Sequence, residues 1–273
     1  MSGEGKLLCF VSLARMEGRR ASTKRQCERE ETYDANALPP TITRRYGAER
    51  STTDGHIGTR VASRFVHDVD FITWPTPHPE FAEVNPMKQV SAVIHGDFKL
   101  FESHAILIYL ASTIPGVADH WYPADVRERA KVHSVLDWHH TIALAQVIFG
   151  YLLNTVFASV WHAWRPKAAA EGEKLLSASL ARIESFWLQG GPFLLGNSKP
   201  TIADLALACE VTQLEVADQN DHDRIMEPHS KIVKWLKDVK SATTPHFEEI
   251  HAAIRAAREP LKKLKAQAAQ KSE

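Results

Sequence analysis

Residues 91–110 have the sequence SAVIHGDFKLFESHAILIYL, the stretch of the chain with the clearest local pattern. Two short runs of β-branched and aromatic residues flank the dipeptide Gly96-Asp97, a pattern that is typical of a β-hairpin with a two-residue turn. The apolar run 104–110 follows, and Ser103 in front of it is a favourable helix N-cap. The stretch therefore predicts a β-hairpin followed by a helix that is capped by Ser103.

The chain beyond residue 120 has apolar residues at helical spacing, which predicts a bundle of helices. Pro166 is expected to interrupt the first helix near its end, and further helices are expected to open at Thr201 and near Pro228. The residues expected to face the core are, in chain order, Val132, Val135, Ile142, Ala145, Phe149, Leu152, Val156, Leu176, Leu180, Ile183, Trp187, Ile202, Leu205, Ala206, Cys209, Ile232, Val233, Leu236 and Val239.

The helix that opens at Thr201 carries a local signature of its own. Thr201 and Asp204 are three residues apart, which is the spacing of a capping box with Asp in place of Glu. We therefore expect both residues to have a structural role in the start of this helix.

The two ends of the chain differ from its middle. Residues 14–64 are rich in Arg, Thr, Ser and Gly, and such a stretch buries too little apolar surface to offset the entropy of ordering it. We predict four parts: a disordered arm at 1–65, a partial α/β domain at 66–113, a helical domain at 120–260 and a frayed tail at 261–273.

The overall composition excludes several classes of function. The chain has 273 residues with 33 Lys and Arg against 33 Asp and Glu, so no net charge favours nucleic acid or an anionic membrane surface. No apolar run is long enough to span a membrane. Three widely spaced cysteines favour a reducing compartment, hence the cytoplasm, and their spacing and that of the histidines predict no metal site.

Several motifs in the right order resemble theta-class glutathione transferases, especially those of plants. They include the segment PEFAEVNPMKQV at 79–90, the segment LFESHAILIYL at 100–110, and DHWYP at 119–123. The segment VHSVLDWHH at 132–140 and the run TIADL at 201–205 also match. The resemblance covers about residues 78–260 and leaves out the first 65 or so.

The resemblance implies a fold, an activity and partners. The fold would be α+β and mostly helical, with a partial thioredoxin-like domain followed by the all-helical C-terminal domain of the family. Such enzymes conjugate glutathione to electrophiles or reduce organic hydroperoxides, generally as homodimers. Glutathione is the co-substrate, and no other cofactor is implied.

The resemblance also implies a glutathione site. Glu102 can pair with the ammonium of the γ-glutamyl group, and Ser103 at the helix N-terminus suits its carboxylate. The backbone of Gln89 and Val90 matches the family segment that binds the cysteinyl part of glutathione by strand-like pairing. Without the family resemblance, Glu102 and Ser103 would indicate only an ordinary helix start.

Two departures from the family bear on activity. The family has a proline, joined by a cis peptide bond, where this chain has Ser91. The family's activating serine, in a Ser-Gln-Pro-Ser-Arg setting, is absent, and Glu17 or Arg60 would take its place in the alignments that can be drawn. The catalytic residue is therefore left unassigned. Three hypotheses stay open: a transferase, a glutathione-binding or interaction protein without catalysis, and a chain whose first domain is too incomplete to fold.

We expect Ser91→Pro to strengthen glutathione binding. A cis peptide bond costs about 2.5–4 kcal/mol before a non-proline residue but only about 0.5–1 kcal/mol before proline. Proline would favour the family's cis geometry, and the dissociation constant for glutathione, measured by isothermal titration, should fall roughly tenfold. A variant that binds glutathione no better than the parent would contradict the assignment of Ser91 to this position.

Overall fold

The computed structural model describes residues 69–72, 79–87, 92–141 and 166–248, with shorter pieces at 147–148, 151–152, 155, 251–252, 255–256, 258–259, 263 and 267. The described residues fall into two compact units, one up to Ile114 and the other from Pro115 onward. The predicted arm at 1–65 lies outside the described residues, as does most of the tail.

A three-stranded antiparallel sheet forms the centre of the first unit. Its strands are β1 (Val69–Ile72), β2 (Ala92–His95) and β3 (Phe98–Phe101), in the order β1-β2-β3. His95 pairs with Phe98 across a two-residue turn, and Gly96 has a φ of 62°, which a hairpin turn of this length favours. The predicted hairpin is confirmed. The sequence pattern missed β1, which pairs with β2 and makes it the central strand.

Two helices accompany the sheet. Helix α1 (Pro79–Val84) precedes β2, and helix α2 (Ser103–Thr113) follows β3 directly. The core-facing side of α2 consists of Ile106, Leu107 and Leu110, which are at most 1% exposed. A second apolar cluster joins the end of α1 to the hairpin and contains Val84, Ala92, Ile94 and Phe101. The helix is predicted correctly, but its cap is not: Ser103 is its first residue, and the N-cap is Glu102.

In the described part of the second unit all regular secondary structure is helical. Its α-helices are α3 (Val126–Thr141), α4 (Pro166–Arg182), α5 (Ile202–Val211), α6 (Gln219–Met226) and α7 (Ser230–Ala242). Helix α4 continues into a π-helical turn, Ile183–Trp187, and three 3₁₀ turns lie at Asp119–Trp121, Leu194–Gly196 and Thr212–Val216. The predicted order, a small α/β part followed by helices, is confirmed.

Most of the expected core positions are buried, and two details are corrected. Helix α4 is described from Pro166 onward, and because residues 156–165 lie outside the described residues, the interruption expected at Pro166 stays a prediction. Val233 is 50% exposed, and Trp235, at 1% exposure, takes its place in the core. Helix α6 was not anticipated. The expected core residues Ile142, Ala145, Phe149 and Val156 lie outside the described residues.

Asp204 is the polar centre of the helical unit. Its carboxylate is fully buried and accepts hydrogen bonds from the backbone N–H groups of Leu194 (2.9 Å) and Thr201 (2.8 Å). It also accepts from the Thr201 hydroxyl (3.1 Å) and from the indole Nε1 of Trp235 (2.9 Å). One side chain thereby joins the 194–196 turn, the start of α5 and the middle of α7. The predicted capping box is present, with Thr201 Oγ1 accepting from the N–H of Ala203.

Burial of Asp204 also sets its charge behaviour. Removal from water raises the pKa of this carboxyl to about 6, while the four donors act in the opposite direction because they favour the ionised form. The donors are what make a buried carboxylate tolerable near neutral pH.

Glu184 caps the N-terminus of α7, although it precedes Lys231 by 47 residues in the sequence. It lies in the π-helical turn, and its carboxylate accepts the N–H of Lys231 at 2.7 Å, in the first turn of α7. The same carboxylate is 3.2 Å from Nδ1 of His229, whose own side chain makes no capping bond. A carboxylate at a helix N-terminus satisfies backbone donors and suits the helix dipole. The π-helical turn thus positions a cap that α7 lacks locally.

None of the helices in the part of the chain that the structure describes is long and apolar enough to cross a membrane.

Asp204→Ala is expected to destabilise the helical unit strongly. The substitution leaves four buried donors without their acceptor, and each such donor costs about 1–3 kcal/mol. We expect the free energy of unfolding, measured by urea titration, to fall by at least about 3 kcal/mol. Asp223→Ala is the matched control because the Asp223 side chain is 60% exposed, and its effect should stay within about 1 kcal/mol. Equal effects of the two substitutions would contradict the central role of Asp204.

Candidate functional site

The structure describes two of the four residues that the sequence predicts to bind glutathione. Glu102 and Ser103 lie side by side where β3 ends and α2 begins. Gln89 and Val90 lie outside the described residues, as does Ser91.

The junction between β3 and α2 is abrupt. Phe101 is still paired with Ala92 in the sheet, and Ser103 is already the first residue of the helix. Glu102 alone makes the change of direction, with φ 75° and ψ 119°. A positive φ is uncommon for a residue with a side chain and costs of order 1–3 kcal/mol in a sparsely populated region. Such strain persists where the surrounding structure fixes it, and it is found preferentially at functional sites.

The N-terminus of α2 favours a bound anion. The carbonyl of Glu102 accepts the N–H of Ile106 at 2.9 Å, so the helical hydrogen bonds start there and the preceding N–H groups have no intrahelical acceptor. No acidic residue occupies the first turn of α2. The helix dipole places partial positive charge at this end, which suits a carboxylate.

Glu102 supplies the opposite charge at the same point. Its side chain is exposed and makes no capping hydrogen bond to the helix that it precedes. The carboxylate is therefore directed neither to the core nor to the helix end. A ligand with an ammonium and a carboxylate on one carbon would meet both a negative side chain and a positive helix end here.

Helix α2 is held on the sheet by more than its apolar face. The hydroxyl of Tyr109 lies 2.6 Å from Nδ1 of His95 at the end of β2, and the ring of Phe98 lies 5.0 Å from the ring of Tyr109. These contacts join the second half of α2 to the hairpin. Sequence reasoning missed them because nothing local pairs a histidine with a tyrosine 14 residues away.

A second feature that the sequence did not reveal lies before the predicted segment Gln89-Val90. Asn85 follows α1, is 2% exposed, and accepts the N–H of Met87 through Oδ1 at 2.9 Å. This bond from a side chain to the backbone two residues on is an Asx turn. It fixes the direction in which the chain leaves α1.

The remaining predicted residues are structural. Thr201 and Asp204 belong to the helical unit and serve the start of α5, as described above. Among the residues that the structure describes, no group of His, Cys, Asp and Glu side chains is arranged to hold a metal ion.

Comparison with known proteins places both units in one family. The model of the glutathione S-transferase N-terminal domain matches residues 64–112, and that of the C-terminal domain matches residues 166–238. Glutathione S-transferase T1 of Arabidopsis thaliana is 52% identical over 178 residues, which are 64% of this chain and 72% of that protein. The chain spans less of two other relatives from the same plant, 30% of glutathione S-transferase T3 and 32% of T2, at 51% and 50% identity.

Solved structures give the same result. Human glutathione-S-transferase T1-1 in its apo form aligns with a TM-score of 0.57 and 29% identity, over 71% of this chain and 82% of that chain. Human glutathione transferase theta-2, in complex with glutathione and an unknown ligand, aligns with a TM-score of 0.59 and 27% identity, over 68% of this chain and 74% of that chain. The predicted fold class, a thioredoxin-like part followed by a helical domain, is confirmed.

Glu102→Gly is expected to make the protein more stable. Glycine adopts a positive φ without steric cost, so the substitution relieves the strain at the junction and should raise the free energy of unfolding by about 1 kcal/mol. Glu102→Ala is the matched control because it removes the same carboxylate but keeps a Cβ, and with it the strain. Urea unfolding of the two variants tests the strain directly, and a glycine variant no more stable than the alanine variant would contradict it.

Proposed function

The chain belongs to the glutathione transferase family, in its theta class, and from that premise we propose that Glu102 and Ser103 bind the γ-glutamyl end of glutathione. The reaction is addition of the glutathione thiolate to an electrophilic carbon or to a peroxide oxygen. In the first case the sulfur forms a thioether and a leaving group departs. In the second the O–O bond breaks, the hydroperoxide is reduced to an alcohol, and the glutathione sulfur is oxidised to a sulfenic acid, which a second glutathione thiol converts to the disulfide and water.

The junction at Glu102 is the observation that carries this proposal. The strained backbone places a carboxylate and a helix N-terminus next to each other, and the γ-glutamyl group has one ammonium and one carboxylate to match them. The Glu102 carboxylate receives the ammonium. The ligand's carboxylate accepts from the first N–H groups of α2 and from the Ser103 hydroxyl. Both charges of the γ-glutamyl group are thereby paired without a cofactor.

The cysteinyl part of glutathione is assigned to Gln89 and Val90. In this proposal their backbone groups pair with the ligand as one strand pairs with another, which gives affinity independent of side chains. The Asx turn at Asn85 supports the assignment, because it fixes the chain only four residues before Gln89. Ser91 has the structural role of setting the peptide geometry after Val90.

A second candidate function follows from the missing serine. The family's activating hydroxyl lowers the pKa of the glutathione thiol, and the chain has no Ser-Gln-Pro-Ser-Arg motif to supply it. A protein that keeps the γ-glutamyl site but lacks this hydroxyl would bind glutathione without efficient turnover. It would then act as a binding or interaction protein.

Partners and location complete the proposal. We expect a homodimer, a small electrophile or an organic hydroperoxide as second substrate, and a role in detoxification in the cytoplasm. Light scattering on the purified protein tests the dimer independently of glutathione.

Titration calorimetry and a turnover assay on one sample separate the two candidate functions. Glutathione is titrated into the monodisperse protein, and turnover is followed with chlorodinitrobenzene and with cumene hydroperoxide. Binding with turnover supports the transferase and calls for substitution of Ser22, Ser51 and Ser63 to find the activating hydroxyl. Binding without turnover supports the binding protein. A folded sample that binds no glutathione would exclude both functions.

Glu102→Gln is expected to weaken glutathione binding about tenfold, since the substitution removes the charge that pairs with the ammonium but keeps the shape of the side chain. Glu83→Gln is the control: Glu83 lies on α1 in the same unit, its side chain is 71% exposed, and its contact with Lys99 is long, at 3.8 Å. The dissociation constant from calorimetry should be unchanged in the control. Equal effects of the two substitutions would contradict the role assigned to Glu102.

A further inference from the structure

Tyr122 contacts the first half of helix α3 from the turn that precedes the helix. The residue follows the 3₁₀ turn Asp119–Trp121, and its hydroxyl lies 3.0 Å from Nε2 of His133, near the middle of α3. The two rings are stacked, with 5.8 Å between their centroids and 22° between their planes. A hydroxyl within hydrogen-bond distance of an imidazole nitrogen is the arrangement of a nucleophile and its general base.

Arg129 adds a positive charge to the same pair. Its guanidinium lies over the ring of Tyr122, with 5.1 Å from Cζ to the ring centroid. Arg129 and His133 are four residues apart on α3, so they lie on one face of the helix, and Tyr122 contacts both. A cation at this position is attracted to the ring and stabilises the negative charge that develops on a reacting phenol oxygen.

Further hydrogen bonds hold the guanidinium and the nearby backbone in place. Arg129 donates through Nε to the carbonyl of Pro123 and through Nη2 to the carbonyl of Ala124, both at 2.8 Å. The N–H of Ala124 donates to Oδ1 of Asp119 at 2.9 Å. The segment that carries Tyr122 is therefore fastened to α3, and the reacting groups are positioned before a reactant arrives.

The three residues Tyr122, Arg129 and His133, here called the Tyr122 cluster, are accessible without being fully exposed. All three are half-buried, whereas the neighbouring Trp121 is 1% exposed. A small molecule can reach such a position, and charges interact more strongly there than in bulk water.

Two other tyrosines provide comparisons within the molecule. The hydroxyl of Tyr109 lies 2.6 Å from Nδ1 of His95, but the two rings meet at 69°. Tyr151 is 1% exposed and is closed to reactants. Among the residues that the structure describes, Tyr122 is the only tyrosine with an arginine over its ring.

We propose that Tyr122 is a nucleophile that takes acyl groups from activated esters, with His133 as its general base and Arg129 stabilising the developing negative charge. The reactant class is a small carboxylic ester with a good leaving group, such as a nitrophenol. The proposal is independent of glutathione, because the Tyr122 cluster lies in the helical unit and includes none of the residues assigned to glutathione.

The acyl transfer balances without a further reactant. The phenol oxygen of Tyr122 attacks the carbonyl carbon of the ester, and its proton passes to Nε2 of His133. The bond between the carbonyl carbon and the leaving oxygen then breaks. The acyl group stays on Tyr122 as an aryl ester, the leaving group departs as a phenolate, and His133 returns the proton to the solvent.

Rapid-mixing kinetics of the full-length protein with p-nitrophenyl acetate test the proposal. We expect a fast release of about one equivalent of p-nitrophenolate per chain, because the acylated tyrosine accumulates. Tandem mass spectrometry of the tryptic peptide 100–127, which contains both Tyr109 and Tyr122, should locate the acetyl group on Tyr122. A folded protein that shows no fast release, or that carries the acetyl group elsewhere, would overturn the proposal.

Two phenylalanine variants separate Tyr122 from the other tyrosine–histidine pair. Tyr122→Phe is expected to abolish the fast release, since it removes the hydroxyl and keeps the ring that packs against Arg129. Tyr109→Phe is the matched control, because it also breaks a hydrogen bond between a tyrosine and a histidine, and its fast release should be unchanged. Equal losses in the two variants would overturn the assignment to Tyr122.

His133→Phe tests the general base. The variant keeps an aromatic ring beside Tyr122 but removes the proton acceptor, and the rate constant of the fast release should fall at least about tenfold. An unchanged rate constant in a variant that circular dichroism shows to be folded would overturn the role of His133. Tyr122→Phe decides the nucleophile even where the histidine variant does not fold.

Discussion

The helical unit depends on one buried carboxylate. Asp204 satisfies donors from the turn at Leu194, from Thr201 and from Trp235, so three separate pieces of chain share a single acceptor. The turn at Leu194 lies in the loop before α5. This loop requires a glycine at position 191, because a Cβ there would collide with the carbonyl of Gly196. A buried charge is costly unless its hydrogen bonds are complete, and here completeness requires the turn and both helices to be in place. The carboxylate therefore specifies the arrangement as well as stabilising it.

The distinctive feature of the first unit is a strained backbone, in contrast to the satisfied polar network of the helical unit. Glu102 has a backbone conformation that the residue itself disfavours, and the sheet register at Phe101 and the packing of Leu107 and Leu110 hold it there. The His95–Tyr109 hydrogen bond adds a polar contact on the same helix. The consequence is a helix N-terminus with an acid immediately before it, fixed before any ligand arrives. Pre-organisation of this kind reduces the ordering cost of binding a small zwitterion.

The sequence predicts those parts of this structure that rest on local rules. The hairpin at Gly96 follows from turn chemistry, and the start of α5 follows from the three-residue spacing of Thr201 and Asp204. The sequence-based predictions are wrong where a contact between residues distant in sequence determines which side chain is buried. Val233 fits the apolar period of α7, but Trp235 is buried in its place because its indole reaches Asp204.

Other features depend equally on tertiary contacts. Helix α7 is capped by Glu184 from the π-helical turn of α4, which could not be predicted from neighbours in sequence. Strand β1 contains the β-forming residues Val69, Phe71 and Ile72 but is only four residues long, and its pairing with β2 is what defines it. Ser103 was predicted as the cap because serine is a good capping residue, yet the tight exit from β3 moves the cap to Glu102. At this junction the N-cap position is occupied by a strained glutamate instead of the serine that capping preferences favour, and backbone strain of this kind is typical of functional sites.

Binding of glutathione and activation of its thiol depend on different residues. The two residues assigned to the γ-glutamyl end, Glu102 and Ser103, lie after β3, in a part of the chain that shares the family's motifs. The family's activating serine belongs to a motif that this chain does not have. Binding a zwitterion needs complementary charges, whereas lowering a thiol pKa needs a hydroxyl at the sulfur, and neither requirement supplies the other. Glutathione binding and thiol activation therefore have separate structural requirements, and the junction at Glu102 bears on the first of them.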